Sequence, residues 1–245
     1  MSVEQLDPPD HRKAADETVG GAAVGRSTAT RRGGRRPAAS NGDETRERIV
    51  QAAIDTLDAE GIVGTSARAI ARRGSFNQAL IFYHFGSVDG LLIEAAQAEG
   101  RTRATRYESM LRQITTISEL IVVAREIHHH EQESGSVNVL AQLLAGANTS
   151  PDLRDGVHLG MVPWMSLVQD AIVRVLRQSS ISTLIDPADA TYAVASLFIG
   201  MELMALLDPN RDRPDALFDG VARLAPMIDA VLATTRLPTP AGAQA

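Results

Sequence analysis

Apolar residues recur along this chain at helical spacing, and they begin to do so only after residue 42. From Asp43, "DETRERIVQAAIDTLDAEGI" places Ile49, Ala52, Ala53 and Leu57 on one face. That pattern predicts an amphipathic helix capped by Asp43 and ended by Gly61. "TSARAIARRG" predicts a helix of about two turns, with Thr65 or Ser66 as its N-cap and Gly74 as its stop. "NQALIFYHF" predicts a third short helix, capped by Asn77 and followed by Gly86. Ser87 caps a fourth, longer one, whose Leu91, Leu92, Ala95 and Ala96 lead into a stretch with Arg101, Arg103 and Arg106. Further helices are expected over 117–132, 136–148, 152–179, 187–207 and 213–234. Their breaks fall at Gly135, Ser150-Pro151, Asp186-Pro187 and Asp208-Pro209, where each proline suits a first helical turn. No period-two strand and no internal repeat interrupts the series, so the fold class is all-α.

The second and third segments are joined by a short turn containing Gly, which is the helix-turn-helix arrangement. Ile70 and Ala71 are expected to face Ile81 and Phe85, with Phe76 filling the gap at the turn and the small Ala71 allowing a close crossing. The chain has five Phe, three Tyr and one Trp, and four of these nine fall between Phe76 and Phe85. "NQALIFYHF" carries no Asp, Glu, Lys or Arg. Its outward face offers Asn77, Gln78, Tyr83 and His84, short hydrogen-bonding groups of the kind that lie against base edges in a major groove. Gln78 suits adenine N6 and N7, and Ala79 a thymine methyl. Tyr83 and His84 can donate to phosphates. Asn77 serves as a cap that turns backbone N–H groups toward phosphate. Thr65, Ser66 and Arg68 open the preceding helix, which crosses the DNA backbone, whereas Arg72 and Arg73 read equally as a solvated face. Phe85 belongs to the core.

On those residues, "ARAIARRGSFNQALIFYHFGSVDGLL" resembles the DNA-binding signature of TetR-family transcriptional repressors. The family's usual pattern runs Ile-Ala, a Gly-Val turn, a Ser-like cap, a small residue, Leu-Tyr-x-x-Phe, then x-Ser-Lys-x-x-Leu-Leu. The likeness is close from Asp43 to about Arg103 and loose over the remaining helices, where "VLAQLLAGANTSPDL" also resembles a segment of some members. It implies an N-terminal three-helix helix-turn-helix domain and a C-terminal helical domain for ligand binding and dimerisation. Three positions depart from the pattern. Ser75 stands at the usual turn Gly, which implies a differently shaped turn because a non-Gly residue with positive φ is uncommon. Phe82, counted with the DNA-facing set, replaces a Tyr, and Val88 replaces a Lys, each removing a group that reaches phosphate.

Composition sharpens this picture. Cys is absent, which excludes disulfides and Cys-based zinc sites. The net charge of −6 argues against general affinity for nucleic acid, although local charge decides binding. Residues 1–42 mix Gly, Ala, Pro, Ser and charge and are expected to be a disordered arm. Within it "RSTATRRGGRRP" carries Arg26, Arg31, Arg32, Arg35 and Arg36 and no acid, suiting either a solvated tail or an arm that tracks phosphates. The start lacks a secretory h-region, and no apolar run reaches the roughly 18 residues of a bilayer span, so a cytoplasmic protein without membrane contact is expected.

The expected organisation is a disordered arm over 1–42, a DNA-binding domain over 43–103 with its motif at 66–85, a helical ligand-binding and dimerisation domain over 104–235, and a disordered tail over 236–245. "PADATYAVASLFIGMELMALL" is apolar nearly all round, with Glu202 its lone charge after Asp189, and such a helix needs cover on both sides. The last helix carries Leu217, Val221, Leu224, Ile228, Val231 and Leu232 as a stripe. Together they suggest a two-fold four-helix interface between copies, which pairs two recognition helices on a roughly palindromic operator. "HLGMVPWMSLV" suits either a pocket for a small apolar effector or core packing around a helix interrupted by Pro163. Its Met161, Trp164 and Met165, with Phe198 and Met201 opposite, are the candidate ligand residues.

The expected function is a ligand-responsive transcriptional repressor, a homodimer released from double-stranded operator DNA by a small molecule. No catalytic residue, cofactor or metal is expected. Two alternatives stay open. One is a helical-bundle metalloenzyme using Glu126, His129, Asp155 and His158, the first two from "EIHHHEQE", although its full ligand set is missing. The other is a DNA-binding regulator controlled by a protein partner.

Overall fold

The computed structural model describes residues 38–234 apart from 178, 209 and 211. Residues 1–37 of the expected arm, with its basic run, and the whole expected tail over 236–245 lie outside these residues, whereas 38–42 belong to the first helix. The regular elements described are α1 (Ala38–Gly64), α2 (Ala67–Gly74), α3 (Ala79–Phe85), α4 (Val88–Gln113), α5 (Ile117–Ser134), α6 (Ser136–Ala147), α7 (Pro151–Leu176), a 3-10 turn (Ser180–Thr183), α8 (Pro187–Leu207) and α9 (Arg213–Thr234). The all-α fold is as the hydrophobic pattern predicts, and the five C-terminal helices start within a residue or so of their expected positions.

The ends show local chemistry at work. Ser66, Ser87 and Ser150 each accept a backbone N–H at the start of α2, α4 and α7. Thr116 and Glu119 form a reciprocal capping box at α5. Asp229 of α9 adds to that end from outside, accepting from the N–H groups of Ile117 (2.7 Å) and Ser118 (3.1 Å) and from the Ser118 hydroxyl (2.6 Å). Burial pushes the pKa of Asp229 up, but these three bonds outweigh it and hold the carboxyl below its ordinary range.

Several expectations need correction. Asp43 lies inside α1, which starts earlier at Ala38, so it does not cap that helix. Gly61 interrupts rather than ends α1, with φ 67 and ψ 177. The N–H of Ile62, freed at this break, donates to Gln142 Oε1 of α6 at 2.8 Å. α7 runs unbroken through Pro163; the carbonyl that loses its partner there belongs to Leu159, a residue on the solvent side. The expected domain boundary at 103 falls inside α4, which continues to Gln113. Finally, α7 and α8 are long and apolar enough, by length and composition, to cross a membrane, contrary to the expectation that no run qualifies.

The core does not divide at the expected boundary either. One cluster joins Ile49, Leu57, Ile70, Ile81 and Leu91 of α1–α4 with Val139 and Leu143 of α6 and Leu153 and Val157 of α7. α4 and α7 pack closest of all. A Cβ added at Gly100 would lie 1.7 Å from the Gly160 carbonyl oxygen, and one at Gly160 would lie 2.6 Å from the Ala96 carbonyl oxygen. Only two glycines permit backbones so near, and a side chain on either forces the helices apart.

Gly100→Ala is therefore expected to destabilise the fold by about 2 kcal/mol or more, the range of core overpacking. Gly220→Ala, where an added Cβ meets nothing nearer than 4.0 Å, serves as the control. Thermal unfolding of both variants checks this, and equal midpoints contradict it.

Candidate functional site

The helix-turn-helix is built by the turn between α2 and α3. Ser75 takes the left-handed conformation, φ 54 and ψ 47, at the end of α2. The expectation of a differently shaped turn is thus corrected: the left-handed residue is present, carried by Ser at a cost of about 1 kcal/mol. The reason lies one residue earlier. A Cβ on Gly74 would come within 2.2 Å of the Phe76 ring, so Gly74 makes room for that ring to plug the gap between helices. Asn77 Oδ1 accepts the Ala79 N–H at 2.9 Å in a local Asx turn, but the N-cap position of α3 is taken by Gln78, so Asn77, the expected cap, acts from one residue before it.

α3 turns Ile81 fully inward, while Phe76, Leu80 and Phe85 pack against the same core from its margin. Asn77, Gln78 and Ala79 are exposed, Phe82 is 50% exposed and Tyr83 82%. His84 is half-buried, its ring edge-on to Tyr83 at 4.9 Å. Thr65 and Ser66 are engaged locally: the Thr65 hydroxyl donates to the Gly61 carbonyl, and Ser66 caps α2. Arg68 is exposed beside them. Arg46 of α1 locks the far end of α3. It donates to the His84 carbonyl (3.1 Å) and to Glu94 of α4 (2.6 Å), and its guanidinium lies 4.5 Å from the Phe85 ring centre. Burial raises the Glu94 pKa, but bonds from Arg46 and Arg101 prevail and hold it below the ordinary carboxylate range. Arg46 was not singled out in the sequence, because a helix-surface Arg distant from the motif gives no signal of its partners.

The face is poor in free cations. Arg72 and Arg73 both reach Glu60, at 2.9 and 3.6 Å, so a single carboxylate offsets one of their two positive charges. What remains is an uncharged strip of amide, phenol and imidazole groups on α3, flanked by Arg68.

A second feature lies between α4, α5, α6, α7 and α8. It is a narrow cleft, with a cavity of about 50 Å³ and mainly apolar walls. Of the expected ligand residues, Met161, Trp164 and Phe198 line it; Met165 and Met201 are not among its lining residues. Met165 packs instead beside Trp164 and Val168. Five polar liners were missed: Glu99, Arg103, Glu131, Ser136 and Glu202. Glu131 accepts from Arg103 (2.6 and 3.1 Å) and from the Tyr107 hydroxyl (2.7 Å). Burial, then the Glu131 contact, push the Tyr107 phenol well above its usual range. Glu202 is bonded to His128 Nδ1 (2.7 Å) and to the Gln132 amide (2.8 Å). The one sequence signal was Glu202 itself, a lone acid in an apolar helix.

The metalloenzyme set does not assemble. His129 pairs with Asp215 at 2.9 Å, and Glu126, Asp155 and His158 are exposed. Among the described residues no three His, Asp or Glu come together as a metal ion requires.

Residues 49–95 match the model of the bacterial regulatory proteins of the tetR family. The match covers the helix-turn-helix and the start of α4. Over these residues the chain is similar to the DNA-binding domain of that family, as the resemblance in the sequence implies. Solved structures agree over the whole fold. A protein assigned to the TetR family from Mesorhizobium loti superposes with TM-score 0.62 at 17% identity, covering 80% of this chain and 98% of its own. One from Rhodococcus sp. gives 0.62 at 22% identity, covering 74% and 98%. The fatty acid degradation regulator FadR of Bacillus subtilis, solved with stearoyl-CoA, gives 0.58 at 14% identity, covering 73% and 96%. No curated protein matches the chain.

Phe82 lies on the exposed side of α3 and Val88 opens α4, so the first offers no hydroxyl and the second no charge there. Gln78→Ala is expected to relax base preference by roughly 1–3 kcal/mol at one position of each half-site. Tyr83→Phe is expected to weaken all sequences alike, by a few-fold, with no change in salt dependence, because a phenol releases no counterion. Binding to a randomised fragment pool at two salt concentrations separates the two, and uniform loss for Gln78→Ala excludes base reading there.

Proposed function

We propose that this protein is a TetR-family regulator, a homodimeric repressor freed from a roughly palindromic operator when a small molecule enters the cleft. One observation carries the reading. Ala96, Val139, Leu143 and Val157 belong at once to the core beneath the recognition helix and to the cleft wall. Interiors are close-packed, so a ligand that displaces these side chains moves the packing under α3 as well. α6 adds polar ties to α1, through Gln142 on Ile62 and through Asn138 on the Asp58 carbonyl and carboxylate, both at 2.9 Å. A coupling of roughly 1–3 kcal/mol suffices to shift operator affinity 5- to 150-fold.

Two related structures support an effector site in principle. FadR of Bacillus subtilis was solved with stearoyl-CoA, and a regulator from Saccharomonospora viridis with choline. Neither names this protein's effector. Control by a protein partner remains the alternative, and the cleft counts against it. Regulators of this family are generally non-enzymatic, which agrees with the expectation of no catalysis. A cytoplasmic location follows from the operator as partner.

The dimer rests on α8 and α9. α9 turns Phe218 and Ala225 inward and leaves Leu217, Leu224, Ile228 and Val231 exposed as a stripe. α8 exposes Leu197 at 75%, Met204 at 64% and Leu207 at 77%. Apolar area of this extent is rarely left to water. A membrane is the other apolar cover that the length of α8 allows, but Glu202, in its last third, is committed inward to His128. A second copy matches the surface without placing that acid in lipid.

Sedimentation is expected to show a dimer for the unaltered protein and a monomer for Leu197→Glu with Leu224→Glu. The double variant should lose at least about tenfold in operator affinity, since one half-site alone remains. A monomeric unaltered protein that still binds the operator, or one that partitions onto neutral vesicles instead, sinks the dimer reading.

A further inference from the structure

The cleft's polar groups narrow the chemistry of what it takes, provided that it is the effector site as read above. Three carboxylates line it, those of Glu99, Glu131 and Glu202, against a single guanidinium, that of Arg103. Glu131 and Glu202 have side chains only 4% exposed, and each is fixed by two partners. Glu99 differs. It makes no hydrogen bond among the described residues, and Arg103 and Arg106 act on it only through their charge. Burial, the larger influence, pushes its pKa up, so the ionised form is short of compensation. A second group is equally unmatched. Trp164, 8% exposed, lines the same cleft, and its indole N–H has no acceptor within reach. An unmade bond on a buried donor costs roughly 1–3 kcal/mol, so the site is incomplete as it stands.

We propose that the cleft takes an apolar organic cation, an amine or quaternary ammonium, whose charge settles at Glu99 and whose body lies against Trp164 and Phe198, with an acceptor atom meeting the Trp164 indole N–H. Anions are disfavoured, because they would meet three carboxylates and one guanidinium. A neutral hydrocarbon leaves both Glu99 and the indole unmatched, which is a penalty rather than a gain. A metal ion is the wrong cation, since no three ligating groups converge. A diffuse cation is the right one: it needs one carboxylate and an aromatic wall. The Trp164 and Phe198 rings supply that wall, 6.1 Å apart and inclined by 35°.

The test uses the full chain and matched probes that share one alkyl chain: decyltrimethylammonium, decanol and decanoate, all below their aggregation concentrations. Trp164 is the only tryptophan, so its fluorescence reports occupancy of the cleft itself. Decyltrimethylammonium is expected to bind saturably and about tenfold or more tighter than decanol, with decanoate weakest. Glu99→Gln should remove most of the cation's advantage and leave decanol unchanged. Glu99 is partly exposed, and circular dichroism confirms that the variant stays folded. Decanoylcholine, which adds an ester carbonyl, should bind more tightly still, and Trp164→Phe, followed by calorimetry, should abolish that increment. Decanol or decanoate binding as tightly as the cation overturns the proposal, as does no response of Trp164 to the cation. Operator release measured with the same probes keeps the two readings apart. A cation that binds at Glu99 without releasing DNA supports the cleft's specificity and refutes the effector role. Release by decanoate alone refutes the cation and upholds the effector role.

Discussion

The contact of α4 with α7 at Gly100 and Gly160 is the constraint on which the rest of the molecule depends. α4 starts where the recognition helix ends, with only Gly86 and Ser87 between them. It then crosses α7 so closely that the Gly160 carbonyl occupies the place of a side chain at Gly100. A third small residue, Gly156, takes Ile93 into the same seam. Contact at this distance fixes the height and angle of α4, and with them the position of α3. It also decides where the cleft lies, since Ala96, Glu99, Gly100 and Arg103 on one side and Val157, Gly160 and Trp164 on the other form two of its walls. The DNA-facing helix and the ligand cleft are therefore two ends of one rigid seam.

This explains why the polar groups of the C-terminal region are arranged as they are. Buried charge is costly unless bonded, and truncating one partner of a buried pair costs more than the pair contributes. Glu131 and Glu202 sit beside the seam and are each satisfied twice. Their bonds run to α4 and to α5, so they tie the helices that surround the cleft without filling it. Glu99, half-buried without a hydrogen bond, and the buried indole N–H of Trp164 are the exceptions, and they are the groups on which the proposed ligand rests.

The helices, their order and the helix-turn-helix were legible from periodicity and caps, since these are local and each residue carries its own signal. Gly135, Pro151 and Pro187 announced their breaks for that reason. Non-local features were not legible. Gly100 and Gly160 look like ordinary interior glycines until their helices are brought together. Arg46 has no special sequence context, yet it closes the end of α3. Pro163 was read as a break, but a long helix packed along its length keeps its course when the freed carbonyl lies near solvent. Ser75 was read as an altered turn, whereas tertiary packing of Phe76 over Gly74 decided which residue must take the left-handed conformation. Of the cleft, the aromatic and Met side was partly legible from composition. The acidic side was not, because a helix-borne Glu is far more often solvated.

The electrostatics of the DNA face set how the parts must share the task. The chain has a net charge of −6, Arg72 and Arg73 share the one carboxylate of Glu60, and α3 has no Arg or Lys. Phosphate neutralisation supplies most non-specific affinity and all of its steep salt dependence. Where that contribution is small, a larger share of operator affinity comes from base contacts, which in the proposed dimer are made by two copies in register. Such contacts depend on the separation of the recognition helices far more than diffuse ionic attraction does. A small movement of α4 along the Gly100–Gly160 seam is then enough to lose both half-sites together, whereas a strongly cationic face would hold the protein on DNA through the same movement. On the function proposed above, a face with few cations makes binding sensitive to geometry, and the tight seam makes geometry answer to the cleft.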